Sequence, residues 1–147
     1  MVSLNMGRRI LVGYDGSPQA EDALDYALDE HADDELVLLY AIDPGEAGYG
    51  GRAATPSYPE EWYEQARANA ADTLASAVER AGVAGVDAET AFEVGGPANA
   101  IVQYAEAADI DHIVTGSHGR SGVTRILLGS VAETVIRRSP VPVTVVR

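Results

Sequence analysis

The stretch Glu35 to Ile42, E-L-V-L-L-Y-A-I, is apolar at nearly every position. A strand with one face in water alternates apolar and polar residues. A run without alternation suits a strand covered on both faces, as in a parallel sheet. Toward the amino terminus, Arg9 to Tyr14 (R-I-L-V-G-Y) is a second short apolar run, and it ends in Asp15-Gly16-Ser17-Pro18. That sequence reads as a turn into a helix: Ser17 suits the N-cap, and Pro18 the first helical position, where no N–H is needed. Ala20, Leu24, Ala27, Leu28 and His31 then recur at helical spacing, with His31 favourably placed at the helix C-terminus.

Toward the carboxyl terminus, Asp43 to Tyr58 contains Pro44, Gly45, Gly48, Gly50, Gly51 and Pro56 and reads as one long flexible loop. Pro59 opens a long helix whose apolar stripe is Trp62, Ala66, Ala70, Leu74, Ala77, Val78 and Ala81, with Gly82 expected at the C′ position. Val86 to Val94 is expected as strand three. Gly95-Gly96-Pro97 turns into a shorter helix with Ile101, Val102, Tyr104 and Ala105 facing inward. His112 to Thr115 is strand four, Gly116 to Gly129 is glycine-rich, Ser130 to Arg138 is helix four, and Pro142 to Val146 is strand five. Strands alternating with helices imply a parallel sheet with helices on both faces, crossing right-handed. The expectation is a single domain over residues 1–147, with 1–7 a loose leader and 43–58 the flexible loop.

The chain has 147 residues, one ordinary domain, able to bury about 68–70% of its unfolded surface. It has no cysteine, which excludes disulfides, thiolate metal sites and cysteine nucleophiles. Ten basic against 23 acidic residues give a net charge of −13, and every base is arginine. The absence of lysine excludes a Walker phosphate loop and Schiff-base chemistry. The acidic balance argues against nucleic acid or an anionic membrane as partner. No run of 18 apolar residues exists, and Asp15 interrupts the stretch after Arg8-Arg9 too early for a signal peptide, so a soluble, cytoplasmic protein is expected. Acidity without lysine suits a halophilic cytoplasm, where the Debye length falls to about 3 Å at 1 M salt; an ordinary acidic cytosolic protein is the alternative.

In such sheets ligands bind beyond the carboxyl ends of the strands, where the strand order reverses. Two segments compete for that place: Gly13-Tyr14-Asp15-Gly16-Ser17, and G-S-H-G-R-S-G-V-T-R-I-L-L-G-S from Gly116 to Ser130. Glycines let backbone approach a ligand closely. Ser130 reads as the cap of helix four, and Glu133 completes a capping box, S-V-A-E. Free N–H groups at that helix start attract an anion, and Arg120 and Arg125 bring positive charge nearby. A phosphate fits between the Gly116–Gly119 turn and Ser130. Glycines after strands and capping boxes also occur where nothing binds, so the residues alone leave both readings open.

Over nearly its whole length the chain resembles the universal stress protein family. The resemblance rests on R-I-L-V-G-Y-D-G-S, L-L-Y-A-I-D, D-H-I-V-T-G-S-H-G-R-S-G and L-L-G-S-V-A-E-T-V-I-R-R-S-P-V-P-V-T-V-V-R. The spacing G-x2-G-x9-G-S marks that family's nucleotide-binding branch. The resemblance implies an α/β fold with a five-stranded parallel sheet in the order 3-2-1-4-5, Rossmann-like and similar to adenine nucleotide alpha hydrolases. It implies ATP, or ADP or AMP, bound between strands one and four, with Mg. Gly13, Tyr14 and Asp15 would line the adenosine side, Asp15 facing the ribose or a metal-bridged phosphate. Ala41 would present backbone to adenine. Thr115 and Gly116 would contact the ribose region, and Gly119, Gly129, Ser130 and Val131 would hold the phosphates, with His118 and Arg120 assigned more weakly. Strand five, short and rich in valine, reads as an exposed edge that Pro142 protects only in part. The resemblance implies a homodimer through it, with Val141, Val143, Val145 and Val146 in the interface.

Phosphoryl transfer needs a positioned nucleophile, charge stabilisation and usually metal ligands. The chain offers one plausible carboxylate, Asp15, without paired carboxylates, a Ser-His-Asp set or His-Glu metal spacing. The expected function is a regulatory, ATP-binding stress-response protein with hydrolysis slow or absent. The alternatives are a slow ATPase, a nucleotide-independent scaffold, or a module for AMP or a cyclic nucleotide. Several of these residues also have plain structural readings: Asp15 as an Asx-turn residue, His112 as a packed strand residue, and Trp62 and Tyr63 as core or loop-docking groups rather than a stacking platform.

Overall fold

The computed structural model describes residues 7–49, 58–117 and 128–147. Its elements are β1 (Arg9–Gly13), α1 (Pro18–Glu30), β2 (Glu35–Ile42), a 3-10 turn (Pro44–Ala47), α2 (Glu60–Val83), β3 (Ala88–Val94), α3 (Pro97–Ala107), β4 (His112–Gly116), α4 (Ser130–Arg138) and β5 (Val143–Val146). The strands form one sheet in the order β3-β2-β1-β4-β5, every neighbouring pair parallel. The strand order therefore reverses between β1 and β4, the point where open α/β sheets leave a crevice.

The uniform apolar character of the central strands has the expected cause. Alternate residues face opposite layers. Ile10, Val12, Leu36, Leu38 and Val114 pack with Ala23, Leu24 and Ala27 of α1 and Leu74, Ala77 and Ala81 of α2. Leu11, Val37, Leu39 and Ile113 pack with Ala100, Ile101 and Ala105 of α3 and Val135 of α4. The small alanines on α1 and α2 let those helices lie close to the sheet. At the two edges cover is thinner: most of β3 is exposed, and β5 is half-buried throughout.

Three local expectations are corrected. The segment after β2 is not loop throughout: the Asp43 carboxylate accepts the Gly45 N–H at 2.9 Å and caps the 3-10 turn. Residues 50–57 of that segment, like residues 1–6 of the leader, lie outside the described residues. Gly82 does not end α2. The helix continues to Val83, and Gly85, at φ +83°, takes the left-handed position. There the Gly85 and Val86 N–H groups bond back to Gly82 and Ala81, the two bonds of a Schellman stop, and β3 begins only at Ala88. Finally, α4 is capped not by Ser130 but by Gly129, with no side-chain cap hydrogen bond. Glu133 does not close a capping box; its carboxylate accepts from Arg137 at 2.7 Å.

Charged groups join the amino-terminal end of the sheet. The Arg9 guanidinium reaches Glu35 of β2 at 3.2 Å, Glu89 of β3 at 3.1 Å and the Ala108 carbonyl after α3 at 3.2 Å. The Arg9 N–H donates to Asp111 just before β4. Asp34 accepts the Arg8 N–H at 3.0 Å and pairs with His31 at 2.8 Å. His112 of β4 bonds Thr144 of β5 at 2.8 Å, its ring 5.6 Å from that of His31. Among the described residues no helix is long and apolar enough to cross a membrane.

Candidate functional site

At the opposite end of the sheet, β1 runs into a turn stabilised by its own side chains. The Asp15 carboxylate accepts the Ser17 N–H at 2.9 Å, an Asx turn. Gly16 sits at φ +80°, where a side chain is strained. Buried Ser17 then caps α1 by accepting the Ala20 N–H at 3.2 Å, and Pro18 fills the first helical position, as expected. Tyr14 turns its ring into the core beneath α1 and α2. Burial pushes its phenol above the ordinary value, with nearby Glu21 adding to the shift. Only the backbone of Tyr14 is available to a ligand, and its N–H is already bonded to Leu39 of β2 at 2.9 Å.

β4 ends beside this turn. Thr115 is buried, and its hydroxyl lies 3.8 Å from where a Cβ on Gly13 would stand. Gly116 is small for a reason other than ligand approach: a Cβ there would lie 2.8 Å from the Gln19 carbonyl of α1. Close packing of α1 against β4 therefore accounts for that glycine. One residue on, the Ser117 N–H bonds Val146 of β5 at 2.9 Å, and the Ser117 carbonyl accepts the Gly129 N–H at 2.7 Å. The two ends of the glycine-rich segment thus meet over β4. His118, Gly119 and Arg120 lie outside the described residues.

That closure sets the start of α4 beside the strand-order reversal. Gly129 is extended, at φ −71° and ψ 164°, so Ser130 is the first helical residue. The Ser130, Val131 and Ala132 N–H groups have no intrahelical partner by helix geometry, and no side chain among the described residues caps them. Ser130 is exposed, while Val131 packs on the core between α3, α4 and the sheet. A helix start in this condition attracts anions through its amides and dipole.

The family model described as the universal stress protein family matches residues 6–147. The chain belongs to the universal stress protein family. A universal stress protein of Methanocaldococcus jannaschii is 34% identical over 145 residues, covering 97% of this chain and 84% of the relative. Another from that organism, MJ0577, has a solved structure with TM-score 0.80 at 32% identity, covering 96% of each chain. A universal stress protein solved in complex with cAMP has TM-score 0.66 at 30% identity, covering 95% of this chain and 96% of that one.

In this universal stress protein, the described site residues Gly13, Tyr14, Asp15, Ala41, Thr115, Gly116, Gly129, Ser130 and Val131 all fall at the carboxyl ends of β1, β2 and β4 or at the start of α4. Residue reading missed a cleft of about 200 Å3 at the end of β2, where Tyr40, Ala41, Asp43 and Glu46 face Trp62 and Asn69 of α2. Its one sequence signal is an aromatic at the start of a helix following a strand end. Among the described residues no group of three or more His, Asp or Glu side chains is placed to hold a metal ion.

Proposed function

We propose that this universal stress protein binds an adenine nucleotide, ATP foremost, across the carboxyl ends of β1, β2 and β4, and acts as a regulatory dimer in stress response with little or no hydrolysis. The observation that carries this reading is the start of α4, uncapped by any side chain among the described residues and tied through Gly129 to Ser117 at the strand-order reversal. The phosphates lie on the amides of Ser130 and Val131 and against Gly119 and Gly129, with His118 and Arg120 at the periphery. Thr115 and Gly116 border the ribose, while the backbones of Gly13, Tyr14 and Ala41 border the adenosine. The relative solved with cAMP supports an adenine nucleotide as the ligand class.

Magnesium fits this site only as a companion of the phosphates. Mg2+ is commonly held by one or two carboxylates together with substrate phosphates, and Asp15 is the carboxylate at hand. Its side chain is already engaged in the turn to Ser17, which suits holding a ligand better than activating water. With no lysine in the chain, charge stabilisation for phosphoryl transfer is weak. The dimer forms through β5, the outermost strand, with Val141, Val143, Val145 and Val146 at the contact. A cytoplasm rich in salt would screen the −13 charge.

Isothermal titration of the full chain in high salt tests the reading. Mg-ATP is expected to bind one per chain without measurable phosphate release, and Gly119→Val to abolish binding while the fold persists. No heat and no thermal shift with ATP, ADP, AMP or cAMP overturns it. Steady turnover lost in Asp15→Ala would instead establish a slow ATPase. Light scattering is expected to give twice the chain mass; a monomer would refute the β5 dimer.

A further inference from the structure

Two histidines meet where β4 begins. His31 ends α1 and is buried. Its ring lies 5.6 Å from that of half-buried His112, the first residue of β4. The His31 Nδ1 is 2.8 Å from the Asp34 carboxylate, and Tyr26 of α1 stands edge-on to the His31 ring at 6.3 Å. On the other side, His112 Nε2 is 2.8 Å from the Thr144 hydroxyl of β5. A row of side chains thus runs from the end of α1 across β4 to the outermost strand.

This row tolerates little added positive charge. Arg8 is the cation beside it, and Asp34 the carboxylate, with their side chains 4.0 Å apart. Asp34 also accepts the Arg8 N–H, while Asp111, next to His112, accepts the Arg9 N–H at 2.9 Å. A proton on His112 adds charge beside His31 and Arg8 that Asp34, already shared between them, balances only in part. The proton also makes both ring nitrogens donors. Among the described residues Thr144 is the only group hydrogen-bonded to that ring, so a second N–H is left unpaired in a half-buried place, which is costly. Turning the ring to water relieves both strains and breaks the bond to Thr144. That bond is the one side-chain hydrogen bond between β4 and β5 among the described residues. Otherwise a ladder of four residue pairs holds β5 to β4, and β5 is half-buried throughout.

Building on the β5 dimer proposed above, we infer that the His31–His112 contact makes that dimer acid-labile: a proton on His112 frees Thr144, loosens β5 and parts the two chains. Histidine is the side chain whose ordinary range puts this change just below neutrality. In the dimer β5 is pinned between β4 and the partner, and the His112 ring turns out less easily. The dimer therefore binds the proton more weakly than the free chain, and acid favours the free chain.

Sedimentation equilibrium of the full chain in high salt, where distant carboxylates are screened, reads the dimer dissociation constant against pH. The constant is expected to rise about tenfold from about pH 7.5 to about pH 5.5 with helical circular dichroism unchanged. His112→Gln keeps an amide toward Thr144 without a titrating ring, and its constant is expected to be the same at both pH values. His31→Gln removes the neighbouring imidazole and is expected to shrink the rise to about threefold. Dilution calorimetry of the unaltered chain in buffers of different ionisation enthalpy needs no variant: protons are taken up as the dimer parts. A constant indifferent to pH, dilution without proton uptake, or His112→Gln as acid-labile as the parent overturns the switch and leaves the dimer standing. Helical signal lost in step with dissociation also overturns it. A monomer at about pH 7.5 overturns both the dimer and the switch.

Discussion

The two ends of the sheet are built on opposite plans. At the amino end, side chains close on one another: Arg9 alone ties β1 to Glu35 of β2, Glu89 of β3 and the carbonyl after α3, and His112 ties β4 to β5. At the carboxyl end, a side-chain turn and main-chain bonds stand in their place. An Asx turn, an uncapped helix start and a carbonyl-to-amide closure between Ser117 and Gly129 surround the strand tips. The difference shows how a small acidic chain separates cohesion from binding. Charges that neutralise one another sit where nothing need enter, and amides that no described side chain caps lie where a ligand is proposed.

The sharpest way to break this contrast is Gly116→Ala. If the glycine serves packing of α1, the added Cβ at 2.8 Å from the Gln19 carbonyl costs about 1–3 kcal/mol as overpacking, read by chemical denaturation. An unchanged midpoint would mean that α1 yields freely and that the carboxyl end is looser than described.

Arg9→Met removes the cross-sheet ties while keeping an unbranched stem. Its partners are about half-exposed or more, so the expected loss is about 1 kcal/mol, shrinking as salt rises. Nucleotide affinity should not move. A change in affinity would show that the two ends are coupled and break the separation.

The smallest effect concerns pH. Burial, then the charges of His31 and Arg8, lower the His112 pKa, against a weaker opposing pull from Asp34. A base with a depressed folded pKa binds fewer protons folded than unfolded. Its contribution is therefore complete above its ordinary value of about 6.5 and declines as pH falls below it. Asp34 responds lower on the scale. Burial raises its pKa, but the hydrogen bonds from His31 and the Arg8 amide and the positive charges beside it bring it below the ordinary value, so its contribution declines only in stronger acid. His112→Gln is expected to flatten the stability profile just below pH 6.5, measured by thermal melts across pH. An unaltered slope would place the acid response elsewhere.

Local signals were read well where one physical cause dominated. The unbroken apolar run of β2 was recovered from Glu35 to Ile42, because burial on both faces leaves no other pattern. Ser17 and Pro18 were recovered because a cap and a first-turn proline act over three or four residues. Readings failed where two suitable residues stood close together. Gly129 and Ser130 both suit an N-cap, and backbone placement at Gly129 decided it, freeing Glu133 for Arg137. Gly82 and Gly85 both suit a helix stop, and the later one completed the Schellman bonds. At the site, the strand tips and the α4 start were legible because they follow from element order. Trp62 docks the segment after β2 as read, through Tyr49 and Tyr58, but the cleft it shares with Ala41 is a meeting of α2 with the end of β2 that no spacing records.

Element order and parallel pairing were thus legible from the residues alone, since hydrophobic period and turn chemistry are short-range, whereas the strand order and the place of its reversal came with the family resemblance. Which glycine faces a helix, which residue caps α4 and what stands opposite Ala41 were settled only by packing. Those outcomes depend on contacts between segments far apart along the chain, such as Gly116 against Gln19, and a through-space distance leaves no periodic mark on a linear string.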